Sequence, residues 1–512
     1  MPTQSYPLNR VPGFSKLLLD YLGGKPELNS FYGATPTLAS LRAQIDQKIS
    51  SNRQLLADVL EDQYHAISDA PDINCLRDEK TFTVTTGHQL NLLTGPLYVI
   101  YKLVSTINLA RKLQQAYPEF KFVPVYWMAT EDHDWDEINH LHLFGQTYTC
   151  SSSQSGAVGR FKTDDLAELL SQLPAGISLF KDAYQSSQTL AEAVRKYIHA
   201  LVGETGLICI DADDARLKRL LKPIIEADVL EQAHQKPVQN TDDQLTSLGY
   251  KPQIHAREIN FFYMKGDLRE RIEFKNGTYH VLNSDIRFSK EDMKAEIANH
   301  PANFSPNVVI RPLYQELILP NIAYVGGPAE VGYWLQLKGV FDLHHVPFPI
   351  LLPRNFALIV PALVAKRVEK LQLSVLDLFQ EEHVLRTKFI DAHTQNSLDL
   401  SDEHARLATL MNKIAQKAQA IDETLEPAVL AEETRWQKGL ERLTKKMRKA
   451  EERNQEVGLR QLAAVKNDLF PAGHWQERYT NFLEFYLSDP TFLAKLYNAF
   501  DPLAFELTVL TP

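Results

Sequence analysis

The stretch from Thr81 to Asn139 constrains the fold most, because it reads without a break as strand, loop, helix, strand and loop. Thr81-Phe-Thr-Val-Thr-Thr86 alternates and is rich in β-branched residues, which favours a strand. It runs into Gly87-His88-Gln89, where glycine permits a sharp exit from a sheet. Pro96 then opens a helix, since its missing N–H costs nothing at the first helical position. Leu97, Ile100, Tyr101, Val104 and Ile107 recur at the helical period, so one face packs on a sheet while Lys102 and Arg111 reach outward. Phe122-Val-Pro-Val-Tyr-Trp-Met-Ala129 is an almost unbroken apolar run, as expected of a strand buried on both faces. Two strands joined by a helix form a parallel βαβ unit, and ligands of such sheets bind beyond the carboxyl ends of the strands. His88 and the run Thr130-Glu-Asp-His-Asp-Trp-Asp-Glu137 both lie at those ends.

The bulk numbers set limits on partners and compartment. With 512 residues, 44% hydrophobic and 23% charged, the chain is long enough for roughly two to four domains. A net charge of -10 and a pI near 5.9 argue against a broad nucleic-acid surface, whose binding depends on neutralising phosphates. Cys75, Cys150 and Cys209 are odd in number and widely spaced, which fits a reducing cytoplasm and no disulfide scaffold. The first residues lack the charged and apolar regions of a signal peptide. The longest apolar stretch, Phe356 to Ala365, is too short to span a bilayer and contains Pro361. No membrane partner is expected.

Along the chain, residues 1–80 read as a strap followed by helices. The amphipathic pattern from Leu38 to Ile67 breaks near Ser51. Residues 81–150 form the first half of the core, and 151–305 an insertion carrying one further strand-helix unit. That unit is the strand Leu207–Asp211 and the helix Asp213 to Leu230, where Asp211, Asp213 and Asp214 are strand-end and capping acids or a cation or ribose site. Hairpin turns are expected at Lys265-Gly266 and Asn276-Gly277. The core resumes over 306–365, with Val308–Arg311 entering it, a strand Ile322–Val325, a turn at Gly326-Gly327, and a helix opened by Pro328. Exposed amides at that turn can receive an anionic group. Pro347–Pro353 is the last strand, and Arg354-Asn355 emerges at its end. Over 366–470, one heptad series runs from Leu407 to Leu425 and a second from Trp436 to Val457, separated by a break at Pro427. They predict an antiparallel coiled-coil hairpin whose seam joins two copies of the chain. Residues 471–512 close the chain as a helical segment to about Phe500.

Two core segments, Thr86-Gly-His-Gln-Leu-Asn-Leu-Leu-Thr-Gly-Pro-Leu-Tyr-Val-Ile-Tyr-Lys102 and Val123 to His140, resemble those of the bacillithiol-synthesis family of cysteine ligases. Ser305 to Pro312, Tyr324 to Glu330, Leu352-Pro-Arg354 and Gln476-Glu-Arg478 agree, so the likeness spans nearly the whole chain. The resemblance implies a cytosolic enzyme that joins cysteine to glucosaminyl-malate. It implies an α/β fold: a Rossmann-like, nucleotidyltransferase-like core akin to class I aminoacyl-tRNA synthetases, with connecting insertions and a dimerising C-terminal coiled coil. ATP enters through this likeness alone, because the chain has no Walker-type glycine-rich loop.

The candidate catalytic residues are His88, Asp132 and His133. In class I synthetases a histidine signature at this strand-to-helix position steadies nucleotide phosphates; here its paired histidine is absent and His88 stands alone. Five carboxylates fall within the seven residues Glu131 to Glu137 and must be solvated, paired or sharing a cation, for which Mg²⁺ suits oxygen ligands better than zinc. A solvated helix N-terminus is the plain alternative. Asp132 is assigned the amino group of cysteine or a ribose, and His133 the role of proton acceptor. Arg311 and Arg354 follow apolar strands, and their guanidinium forks fit carboxylate or phosphate, or a nearby acid. Gly87, Gln89, Thr94, Gly95, Lys102, Glu131, Asp134, Gly326, Gly327, Glu330 and Asn355 complete the candidate substrate- or nucleotide-binding set. Gln476-Glu477-Arg478 has no assigned role. Two rival readings are a metal-dependent hydrolase using the acidic run and a non-catalytic coiled-coil adaptor.

Overall fold

A computed structural model describes residues 3–48 and 52–511, so the helix break expected near Ser51 lies outside the described residues. The chain divides into two compact units. One combines Thr3–Leu358 with Gln476–Val509, and the other consists chiefly of Ile359–Trp475.

The first unit is built on a five-stranded sheet in which every neighbouring pair is parallel. Its strands in spatial order are Ile350–Pro353, Asn321–Gly326, Thr81–His88, Lys121–Met128 and Ile208–Asp211. Numbered along the chain this is the order 5-4-1-2-3, that of a doubly wound Rossmann sheet. The strand order reverses between Thr81–His88 and Asn321–Gly326, and the crevice beyond their carboxyl ends is where such sheets take ligands. Thr81–His88 is buried along its length apart from His88, as a central strand covered on both faces must be. The helix Leu97–Ala116 packs on it and on Lys121–Met128, burying Leu97, Ile100, Val104 and Ile107. Pro96 caps that helix rather than entering it. Lys102 does not reach outward: it is 1% exposed and turned toward the strand ends.

The insertion brings its own antiparallel sheet, ordered Arg287–Phe288, Thr278–Val281, Leu268–Lys275, Phe261–Lys265, Phe304–Pro306. Its first hairpin turns at Gly266-Asp267, where Lys265 pairs with Leu268. The second turns at Asn276-Gly277, whose φ values of 53° and 81° are those of a type I′ turn. The helix expected over Asp213 to Leu230 is a chain of short pieces ending in a π-helical turn, Glu226–Leu230. Val308–Arg311 does not enter the core as a strand. The strand Phe304–Pro306 belongs to the inserted sheet, Asn307 to Ile310 form a turn, and Arg311 opens the helix Arg311–Ile318. Pro312 explains the outcome, because proline ends pairing and suits the first helical turn. Beyond the short helices Gln476–Tyr479, Leu483–Tyr486 and Phe492–Ala499, a strand Glu506–Leu510 that the sequence reading omitted lies beside Thr3–Pro7.

In the second unit, the helices Ser401–Gln419 and Glu426–Asn454 pack against each other as a hairpin. The reversal falls at residues 420–425, and Pro427 sits in the first turn of the second helix instead of marking the break. Met411 is buried, whereas Ile414, Trp436, Leu443 and Met447 of the heptad series are exposed. Ile421 lies in the reversal, and Val457 belongs to the next helix, Glu456–Leu469. Among the described residues no helix is long and apolar enough to cross a membrane.

Candidate functional site

A cavity of about 820 Å³ opens at the carboxyl ends of Thr81–His88, Lys121–Met128 and Asn321–Gly326. Gly87, His88, Gln89, Lys102, Glu131, Asp132, His133, Arg311 and Glu330 line it, so these expected residues converge on the switch point.

Lys102 reaches the rim from within. Its ammonium donates to the Gly87 carbonyl at 2.8 Å and pairs with Glu330 at 2.5 Å. Tyr324 also donates to Glu330, at 2.7 Å. Burial would raise the Glu330 carboxyl, but Lys102 and these donors hold it down to about 2. Burial pulls the Lys102 ammonium below its usual value, against the attraction of Glu330. His88 lies beside them, its Nε2 3.2 Å from the Tyr98 hydroxyl. Burial and the neighbouring Lys102 charge depress its imidazole to about 3, so it is neutral at physiological pH and offers hydrogen bonds rather than charge.

The acidic run is divided among separate partners. Glu131 pairs with Lys218, a wholly buried ammonium that also bonds Asp213 at 3.3 Å. Desolvation raises the Glu131 carboxyl. Asp132 accepts from the Gln89 amide at 2.8 Å and the His133 backbone N–H at 2.8 Å. Burial opposes its ionisation, yet donors from His133 and Gln89 and the Arg269 charge hold it well below the usual carboxylate range. The other amide contact of Gln89 is Glu137, at 2.7 Å. Asp134 is exposed and does not line the cavity. Among the described residues no three His, Cys, Asp or Glu side chains are grouped to hold a metal ion. The loop is pinned from outside the core: Gly159 N–H donates to the Thr130 carbonyl at 2.8 Å and Val158 N–H to that of Asp132 at 2.7 Å. A β-carbon on Gly159 would lie 2.5 Å from Thr130 Cβ, so only glycine permits this approach.

Two arginines complete the rim. Arg311 extends over Gly87 among the rings of Trp127, Tyr324 and Trp334, each 5.7–5.9 Å from its guanidinium carbon. Its Nη1 donates to Gln315, the Tyr333 hydroxyl also interacts with the guanidinium, and among the described residues its buried Nη2 has no hydrogen-bond partner within reach. Arg269, which the sequence reading missed, arrives from the inserted sheet and lies 4.0 Å from the Phe262 ring centre. Nothing local marked it, because a charged residue in an alternating hairpin strand ordinarily faces water. Phe262, Asn307 and Tyr333 were missed likewise.

Other expected residues are placed elsewhere. Arg354 is 2% exposed and makes a two-pronged ion pair with Glu477, at 2.9 and 2.5 Å. That pair gives Glu477 of the unassigned Gln476-Glu477-Arg478 segment a partner and occupies both terminal nitrogens of Arg354, which does not line the cavity. Asn355 bonds Ser105 and the Asp501 carbonyl. Gly326 spends its carbonyl on the Arg354 N–H, and neither it nor Gly327 lines the cavity. Thr94 and Gly95 belong to a strained turn in which Leu93, Thr94 and Gly95 all have positive φ. Asn481 secures that turn by donating to the carbonyls of Leu93 and Gly95 at 3.0 and 2.7 Å.

Comparison with known proteins agrees with this architecture. Residues 1–355 match the family described as bacillithiol biosynthesis BshC, N-terminal Rossmann-like domain, and residues 357–512 match its C-terminal coiled-coil domain. The chain is 41% identical over 534 residues to a Flavobacterium johnsoniae protein named "Putative cysteine ligase BshC", covering 100% of both chains. Proteins of the same name from Cytophaga hutchinsonii and Salinibacter ruber are 40% and 32% identical, covering 96% and 95% of this chain and 96% and 94% of theirs.

Proposed function

This chain belongs to the bacillithiol biosynthesis BshC family, and from that premise we propose that it joins cysteine to glucosaminyl-malate through an amide bond. The observation that carries the reading is the segregation of charge within one cavity: an ionised, partly enclosed Asp132 stands on the rim that also holds Arg311 with an unsatisfied nitrogen. Asp132 suits the ammonium of cysteine. Arg311 suits an oxyanion, because a buried guanidinium nitrogen lacking a partner gains a charge-assisted hydrogen bond when one arrives. Neutral His88 orients the reacting carboxyl by hydrogen bonding.

Direct condensation of a carboxylate with an amine is uphill in water, so the carboxyl must be activated. ATP as co-substrate would supply that activation, and its phosphates fit Arg311 and His88 at the switch point. Glu131 and Asp132 already have partners of their own, which argues against the acidic run as a resident cation site. The exposed Trp436, Leu443 and Met447 favour a homodimer through the helical hairpin. Cys75, Cys150 and Cys209 are free, which suits a reducing cytoplasm.

The test is to mix purified protein with cysteine, glucosaminyl-malate and ATP. Formation of bacillithiol and AMP is expected; ADP in place of AMP would replace an adenylate by an acyl phosphate, and no thiol product would overturn the reading.

A further inference from the structure

Arg269 and His133 come from different elements and meet over one ring. Arg269 lies on the strand Leu268–Lys275 of the inserted sheet, its guanidinium carbon 4.0 Å from the centre of Phe262. The His133 ring is 5.5 Å from that same centre. Arg269 Nε donates to Ser305 Oγ at 3.0 Å, which fixes the plane of the fork. Its Nη1 then stands 2.6 Å from His133 Nδ1.

The chemistry of that contact is one-sided. A guanidinium nitrogen carries hydrogens and offers no lone pair, so Nδ1 must be the acceptor. The ring proton therefore resides on Nε2, and His133 presents a donor. Asp132 Oδ1 is the more distant neighbour of Nδ1, at 3.7 Å against 2.6 Å for Arg269 Nη1, so Arg269 is the closer partner of that nitrogen. The proton-acceptor role expected of His133 is thereby reversed.

Arg269 is also a cation that wants an anion. It is 8% exposed, and among the described residues no carboxylate lies within ion-pair distance of it. Glu131, Asp132 and Asp213 act on it only from farther away. A desolvated guanidinium on a cavity wall without a contacting carboxylate is costly unless the ligand brings one.

The geometry points to Arg269 as a positioning residue that locks the His133 tautomer and, on the ligase reading above, to the Arg269–His133 pair as receptor for a malate carboxylate of the acceptor substrate. The inserted sheet then selects the acceptor, while the parallel sheet holds the reacting carboxyl.

Two measurements test this. In ligand-free protein with ¹⁵N-labelled histidine, the His133 signal, assigned by its loss in His133→Gln, is expected to show an unprotonated Nδ1 and a protonated Nε2. Arg269→Met should convert it to a mixture of tautomers. Calorimetry with malate and with malate dimethyl ester as probes then reads the receptor. Malate affinity should fall at least about tenfold in Arg269→Met, as expected for a lost charged hydrogen bond, and recover partly in Arg269→Lys. Binding of the ester should not change between wild type and either variant. If Arg269→Met fails to fold, Arg269→Lys still decides, since it keeps the charge and loses the fork. A protonated Nδ1 in wild type, absent malate binding, or equal loss for acid and ester would overturn the proposal. Failure of the ligase reading is distinguishable: the tautomer and malate affinity would stand while no bacillithiol forms.

Discussion

Glu330 and Lys102 set the electrostatics at the crevice, and their titration gives a signed expectation. The Glu330 carboxyl falls from 4.5 to about 2 on folding, so its stabilisation is complete above pH 4.5 and is lost as pH falls toward 2. The ceiling is about 3 kcal/mol, and the net is smaller because burial penalises Lys102. Lys102→Met should cost about 1–3 kcal/mol at neutral pH by leaving a partly exposed carboxylate with the Tyr324 hydroxyl as its remaining side-chain donor. Thermal melts of both proteins from pH 2 to 7 check this: the acid-side fall should be present in wild type and flattened in the variant. His88 behaves differently. With its imidazole near 3, the pH profile of turnover should show no limb around 6.5 from this residue, and His88→Gln should retain the wild-type profile shape above pH 5. That His88, Asp132 and Arg311 line one cavity was legible in the sequence because each is a polar residue just beyond a strand-like or apolar run. Arg269 and Glu477 were not, since their partners lie far away in sequence and no local pattern distinguishes a buried charge from a solvated one.

At the scale of elements, the βαβ stretch was legible nearly to the residue, because a β-branched strand, a helical period and an apolar strand each carry their own signature. Val308–Arg311 was misread because an apolar triplet before an arginine looks alike in a strand and at a helix entrance; Pro312 held the answer. The inward turn of Lys102 was equally hidden, since period alone cannot say whether a long cationic side chain leaves the helix or lies buried beneath the sheet rim. The Arg354–Glu477 pair joins the last parallel strand to the short helix Gln476–Tyr479. Glu477→Gln should lower stability by about 3–5 kcal/mol, whereas replacing both residues by apolar ones of similar volume should come close to wild type. Chemical denaturation of the single and double variants separates these outcomes.

For the whole molecule, the exposed apolar residues of the hairpin make the state of association measurable. Trp436→Lys with Leu443→Lys should shift sedimentation from twice the 58.2 kDa chain mass to the single chain mass, without changing the far-ultraviolet helical signal. The discontinuity of the first unit has a further consequence for synthesis. A nascent chain halted at residue 355 already contains the cavity-lining residues but holds Arg354 with no counter-ion, since Glu477 is translated only after the entire hairpin. The coiled coil is therefore translated before the Arg354–Glu477 pair can form, and fragments cut at residue 355 should be prone to aggregate.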